Sequence, residues 1–213
     1  MRPRSWWMGV VLGAVLLAGW RSPARSQSEA LVLVLQARGP LTPAMAEYLD
    51  RGLRLAEARN AEAVVLQLDT PGGSIDLMSR MVQSIRASQV PVIVYVAPRG
   101  AMAGSAGTVI TLAGHAAAMA PETAIGAASP VSGQGEDLAA TEEAKVKEIL
   151  KAEVRALAER RGQQAVTLAE ATIESARAAS AREALDVGLI DRVANDVPDL
   201  LRQMDGITVE VDG

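Results

Sequence analysis

Cysteine is absent from the 213-residue sequence, which excludes disulfide scaffolds, thiolate zinc sites and cysteine nucleophiles. Histidine occurs once, at His115, so a multi-histidine metal site cannot form within one chain and no metal is expected. Phenylalanine is missing, and the three tryptophans, Trp6, Trp7 and Trp20, all precede residue 21. Beyond them only Tyr48 and Tyr95 could stack on a base, too few for a single-strand platform. Positive charge is scarce too: after residue 26 there are 17 basic against 25 acidic residues, the wrong sign for a nucleic-acid partner. Neither G-x-G-x-x-G nor G-x-x-x-x-G-K-[ST] occurs, so no nucleotide cofactor is expected. The rarest cation is lysine, with three (Lys145, Lys147 and Lys151) against 18 arginines.

What is present starts with a leader. Arg2 and Arg4 precede an uncharged run from Trp6 to Trp20, and a polar exit ends in Ala24-Arg25-Ser26. These are the three parts of a secretory signal peptide. The run of 15 residues falls short of the roughly 20 that cross a bilayer. Residues 1–26 are therefore expected to be a signal peptide cleaved before Gln27, or a signal anchor if the tryptophans settle at the interface. In either case residues 27–213 form an exported domain, on the periplasmic or other extracytoplasmic face, membrane-associated if the leader stays.

The exported part alternates two patterns. Ala30–Gln36, Ala63–Leu68 and Val90–Val96 are short apolar runs that read as buried strands. Between them, Leu49, Leu53 and Ala56, and then Ile75, Met78, Met81, Val82 and Ile85, recur at helical spacing. Strand, helix, strand, helix, strand is the pattern of βαβ units, so the fold class is α/β with a mostly parallel sheet. A small-residue helix (105–112), a short strand (116–120), a Gly/Ser/Gln-rich stretch (126–135), a charged helix (about 141–161) and a terminal strand (207–213) are expected to follow. In open α/β sheets, chemistry sits at the carboxyl ends of strands, here the Asp69–Gly73 and Ala97–Gly104 loops.

Ser105 lies among small residues where such a loop turns into a helix. Small neighbours let a carbonyl approach its Oγ, and a helix start offers free N–H groups to an oxyanion. The arrangement resembles a nucleophile elbow without being G-x-S-x-G, since Ala103 replaces the first glycine. A serine N-cap with glycines for close packing fits the same residues. Pro71-Gly72-Gly73 can supply a second oxyanion donor, and is first of all a turn. A general base must shed its proton, which a desolvated lysine can do and an arginine cannot. At 100° per residue Lys145 falls beside Ile149, Ala152 and Ala156, at the edge of the expected apolar face. Lys147 and Lys151 fall on the polar side, where Glu143 and Glu148 can pair with them. Lys145 is the candidate base, against the plainer reading of three solvated lysines. His115, ten residues past Ser105 across a helix, is a poor partner for it and reads as structural.

At Asp69-Thr70-Pro71-Gly72-Gly73, Val92–Pro98, Gly104-Ser105-Ala106-Gly107-Thr108, Met119-Ala120-Pro121, Ile125–Ala128 and Ala184–Asp191, the chain resembles the NfeD-type membrane-bound Clp-class serine proteases. The resemblance implies a ClpP/crotonase-like fold and an ATP-independent Ser-Lys dyad that cleaves hydrophobic, membrane-proximal segments of a stomatin-like membrane protein. It puts Ser105 at the nucleophile, Lys145 at the base and the backbone N–H groups of Gly73 and Ala106 in the oxyanion hole. No cofactor is implied, and a homodimer or larger homo-oligomer is expected. Long family members continue into membrane spans and a β-barrel domain, so this sequence reads as a short form or a fragment. ClpP itself uses a histidine, whereas this chain has Ser129 in that neighbourhood. The alternative reading is a non-catalytic oligomeric scaffold for a stomatin-like partner. An acyl-CoA enzyme of the same fold is disfavoured by export away from CoA.

Overall fold

The computed structural model describes residues 30–131 and 139–211. The expected leader lies outside the described residues, as does much of the Gly/Ser/Gln-rich stretch. Five parallel strands build the main sheet: β1 (Val32–Arg38), β2 (Ala63–Asp69), β3 (Val92–Val96), β5 (Ala116–Met119) and β8 (Arg192–Val193), in the order β1-β2-β3-β5-β8. The fold class is α/β, as the alternating pattern predicts.

The central strands are buried on both faces, so they read as unbroken apolar runs. Alternate side chains feed two separate cores. Val64, Leu66 and Leu68 of β2 and Val92, Val94 and Val96 of β3 face one core, against α1 (Pro43–Ala58), α2 (Ile75–Arg86) and α3 (Ala106–Ala113). Val65, Ile93, Tyr95, Ala116 and Ala118 face the other, closed by Leu200 on α7 (Val197–Met204). Tyr95 is fully buried there, and its hydroxyl donates to the Ala194 carbonyl at 2.7 Å. Thr42, Ser74 and Asp196 cap α1, α2 and α7 through their side-chain oxygens, each satisfying an amide that the first helical turn leaves unpaired.

A second sheet escapes pattern reading because its strands are three residues long: β4 (Met102–Gly104), β6 (Ala124–Gly126) and β7 (Ala178–Ser180), in that order, with β6 and β7 antiparallel. Strands this short bury one side chain each, too few to show a period. Past β6 come α4 (Ala140–Ala158), a 3₁₀ turn (Glu159–Arg161), α5 (Gln163–Glu174) and α6 (Ala181–Asp186). Two expectations fail. Residues 207–211 are not a strand, since no sheet edge pairs with them. The buried face of α4 is Leu150, Val154 and Ala158, with Val146 and Leu157 partly covered. The Lys145-Ile149-Ala152-Ala156 stripe faces outward, with Ile149 68% exposed. The two stripes are similarly apolar, and packing against α5 and α3 selects the one bearing the larger side chains.

Candidate active site

The loop after β2 is stitched to β4. Thr70 N–H donates to the Met102 carbonyl at 2.7 Å, and Gly104 N–H donates to the Thr70 carbonyl at 2.9 Å. The buried Thr70 Oγ1 accepts from Gly72 N–H at 3.0 Å. Gly72 has φ +113°, and a Cβ there would stand 2.7 Å from Ser105 Cβ. Only glycine both adopts that conformation and lets the two loops touch.

Ser105 stands between β4 and α3, with φ 51° and ψ −121°. Its N–H donates to the Gly126 carbonyl at 2.9 Å, and its own carbonyl accepts from Thr108 N–H at 2.9 Å. Thr108 locks the turn from behind: its hydroxyl lies 2.9 Å from the Ala103 carbonyl and accepts from Gly126 N–H at 2.9 Å. A non-glycine residue held at positive φ by its neighbours is stored strain. A serine there, between a strand and a helix, is a nucleophile elbow in conformation even without the G-x-S-x-G signature. Although Ser105 occupies the N-cap position, its side chain makes no capping bond. The N-cap reading is thereby corrected: the backbone conformation denies the hydroxyl that bond.

Ser105 opens onto a cleft of about 670 Å³ between the Pro71–Met78 segment, the start of α3, residues 127–131, and Leu150 and Ile173. Gly73 and Ala106 line the same cleft, and among the described residues no acceptor takes either amide. The structure therefore brings Ser105, Gly73 and Ala106 together. It does not bring Lys145 to them. Lys145 is exposed on α4 and lines no part of the cleft, because the face of α4 turned inward carries Leu150 instead. The other two lysines are committed, to Glu143 and Glu148 as their spacing predicts and also to Glu174 of α5. Lys147 pairs with Glu143 at 2.7 Å, and Lys151 pairs with Glu148 and Glu174 at 3.0 Å each. These ion pairs hold both ammonium groups above their ordinary pKa, the wrong direction for a base. Ser129 Oγ donates to the Ile173 carbonyl at 2.7 Å.

His115 is at the opposite end of α3, about 12 Å of helix from Ser105. Its ring is 2% exposed, and Nδ1 accepts from Val92 N–H at 3.0 Å. Burial, reinforced by Arg86 and Arg160, pushes its pKa down to about 4. Among the described residues no group of His, Asp and Glu side chains could hold a metal ion. Sequence reasoning missed Thr108 and Gly126, whose roles depend on main-chain contacts of β6, a strand too short to foresee.

A parallel sheet flanked by helices, with a serine on a strained strand-to-helix elbow, defines the ClpP-like α/β class. Over residues 32–211 the chain matches the family described as NfeD1b, N-terminal domain, and it belongs to that family. It is 38% identical over 203 residues to membrane-bound protease PH1510 of Pyrococcus horikoshii, covering 95% of this chain and 45% of that protein. It is 33% identical over 128 residues to membrane protein NfeD1b of Bacillus subtilis, covering 60% of this chain and 28% of that one. The chain thus spans less than half the length of these curated relatives. Among solved structures, the 1510-N membrane-bound stomatin-specific protease, as a lysine-to-alanine mutant in complex with a substrate peptide, superposes with a TM-score of 0.80 at 38% identity. That match covers 87% of this chain and 86% of that one. The 1510-N membrane protease specific for a stomatin homolog from Pyrococcus horikoshii superposes with a TM-score of 0.74 at 37% identity, covering 87% of this chain and 85% of that one. Among the described residues no helix is long and apolar enough to cross a membrane.

Proposed function

We propose that this chain is an exported, membrane-associated serine endopeptidase that needs no nucleotide or metal and cleaves apolar, membrane-proximal segments of a stomatin-like protein. The observation that carries the reading is the uncapped Ser105 hydroxyl, on a strained elbow, facing a cleft that also holds the free Gly73 and Ala106 amides. Neutral Lys145 takes the Oγ proton as Oγ attacks the peptide carbonyl carbon, and the two amides hold the oxyanion. The proton passes to the leaving amine as the C–N bond breaks, and water then releases the acyl group from Ser105. Because Lys145 stands outside the cleft, the N-terminal half of α4 must close over bound peptide to complete the dyad. The support for the class of substrate is the naming of the solved relatives as stomatin-specific proteases.

The test is cleavage of an apolar peptide library by the protein and by its Ser105→Ala and Lys145→Ala variants, across pH 6 to 10. Loss in both variants, with a basic limb in the parent profile, supports the dyad. Retained turnover in Lys145→Ala with loss in Ser105→Ala refutes the lysine and leaves the serine. The outward position of Lys145 favours one rival, a non-catalytic oligomeric scaffold for a stomatin-like partner. Peptide binding without turnover in all three proteins would establish that rival.

A further inference from the structure

Of the 16 residues that line the cleft beside Ser105, Asp76 is the one that bears a charge. Met78, Val109, Leu150 and Ile173, each at most 5% exposed, form the apolar backing of the cleft. Asp76 and its neighbour Ile75 are exposed on its wall. Both belong to the first turn of α2, just past Gly73, whose amide is one of the two free donors facing the same space. The only charge in the cleft therefore stands close to where a peptide carbonyl would be held.

No cation of the protein neutralises that carboxylate. Helical spacing offers it Arg80, at i, i+4, but the Arg80 guanidinium is taken by α1: its Nη2 donates to Glu47 at 3.2 Å and to Asp50. Asp76 does not cap α2 either, because the Ser74 hydroxyl fills that role by accepting from Leu77 N–H. Among the described residues Asp76 makes no ion pair and no side-chain hydrogen bond. A carboxylate in a first turn favours the helix wherever on the turn it lies; this one lies on the wall of the cleft that serves Ser105. An unpaired anion there attracts a cationic side chain of a bound peptide and repels an anionic one, which is how charge gives selectivity. The surrounding field has the same sign, since residues 27–213 carry 17 basic against 25 acidic side chains.

We propose that Asp76 is a specificity-determining residue: among apolar segments it selects those with a lysine or arginine within a few residues of the bond that is cut. The inference rests on the protease reading above and narrows its substrate class from apolar segments to apolar segments with a basic flank.

The test uses the full chain and its Asp76→Asn and Asp76→Lys variants, with a set of apolar peptides in which Lys, Gln or Glu occupies each position in turn. Cleavage is read as kcat/KM. Binding of the same peptides, fluorescently labelled, is read by anisotropy on Ser105→Ala and on the Ser105→Ala/Asp76→Lys double variant. At one peptide position the parent should prefer Lys to Glu about tenfold and to Gln severalfold, the scale of an exposed charge pair gained or opposed. The preference should vanish in Asp76→Asn, reverse in Asp76→Lys and shrink in high salt. A purely structural role for Asp76 would lower turnover of all peptides alike and could not reverse the order. An unchanged order of Lys, Gln and Glu peptides in parent and variants overturns the proposal and leaves the serine protease standing. If no peptide is cut, the protease reading falls and the binding arm still decides. Binding to Ser105→Ala that favours Lys, and that favours Glu in the double variant, supports selection by Asp76, whereas charge-blind binding or none overturns it.

Discussion

His115 makes the protein's stability depend on pH in a way that one substitution isolates. Its folded pKa of about 4 lies below the 6.5 of an unfolded chain. As pH falls through 6.5 the unfolded chain gains a proton that the folded chain refuses, so the unfolded state is favoured. The histidine's contribution is complete above pH 6.5 and is lost as pH falls toward 4. Linkage puts the loss at about 2 kcal/mol between pH 8 and pH 5, and at about 3 kcal/mol below pH 4. For a domain of this size, 2 kcal/mol is a fall of about 4–8 °C in Tm. The assay is urea unfolding followed by circular dichroism from pH 8 to pH 5, in phosphate-free buffers, for the protein and His115→Asn. Asparagine presents an oxygen to Val92 N–H and does not titrate, so the variant starts less stable and should show a flatter curve. Asp50 and Glu174, whose partners Ser84, Arg80 and Lys151 hold their pKa values down, add a loss near pH 4 that both proteins share. Parallel curves would refute the reasoning, because they would mean that the ring takes up its proton in the folded state as easily as in the unfolded one.

Three further substitutions bear on the site and its frame. Gly72→Ala places a methyl 2.7 Å from Ser105 Cβ at φ +113°, and should cost about 1–3 kcal/mol while lowering peptide cleavage at least tenfold; parent-like turnover would mean that the two loops do not touch. Thr108→Val keeps the shape and strips the partner from the Gly126 amide, an expected loss of about 1–3 kcal/mol in urea unfolding. Tyr95→Phe leaves the buried Ala194 carbonyl without its 2.7 Å donor and should lower stability by about 1–3 kcal/mol, read as a drop in Tm without change in cleavage.

The main sheet is legible in the sequence because β2 and β3 are covered on both faces and can carry only apolar residues. Runs such as Ala63–Leu68 therefore announce themselves. The amphipathic faces of α1 and α2 are equally plain, since each has one buried stripe. On α4 two stripes compete, and only its contacts with α5 and α3 decide between Ile149 and Leu150. The second sheet is illegible because its strands are held by main-chain pairing rather than by side-chain period. At the site, Ser105 and the Pro71-Gly72-Gly73 turn are readable from small residues at strand ends, whereas Gly73 and Ala106 are singled out by the family resemblance. Nothing in the sequence reports the positive φ of Ser105, which Thr108 and Gly126 impose from 3 and 21 residues further along the chain. The Lys147–Glu143 and Lys151–Glu148 pairs, being local to one helix, are readable from spacing alone, whereas the Lys151–Glu174 pair reaches across to α5 and is not.

The backbone conformation of Ser105 also sets stability against the hydroxyl it carries. Glycine would hold φ 51° without the strain of roughly 1 kcal/mol or more that a side chain adds. Ser105→Gly should therefore raise stability to urea by about 1 kcal/mol, while removing the hydroxyl that the proposed attack on a peptide carbonyl requires.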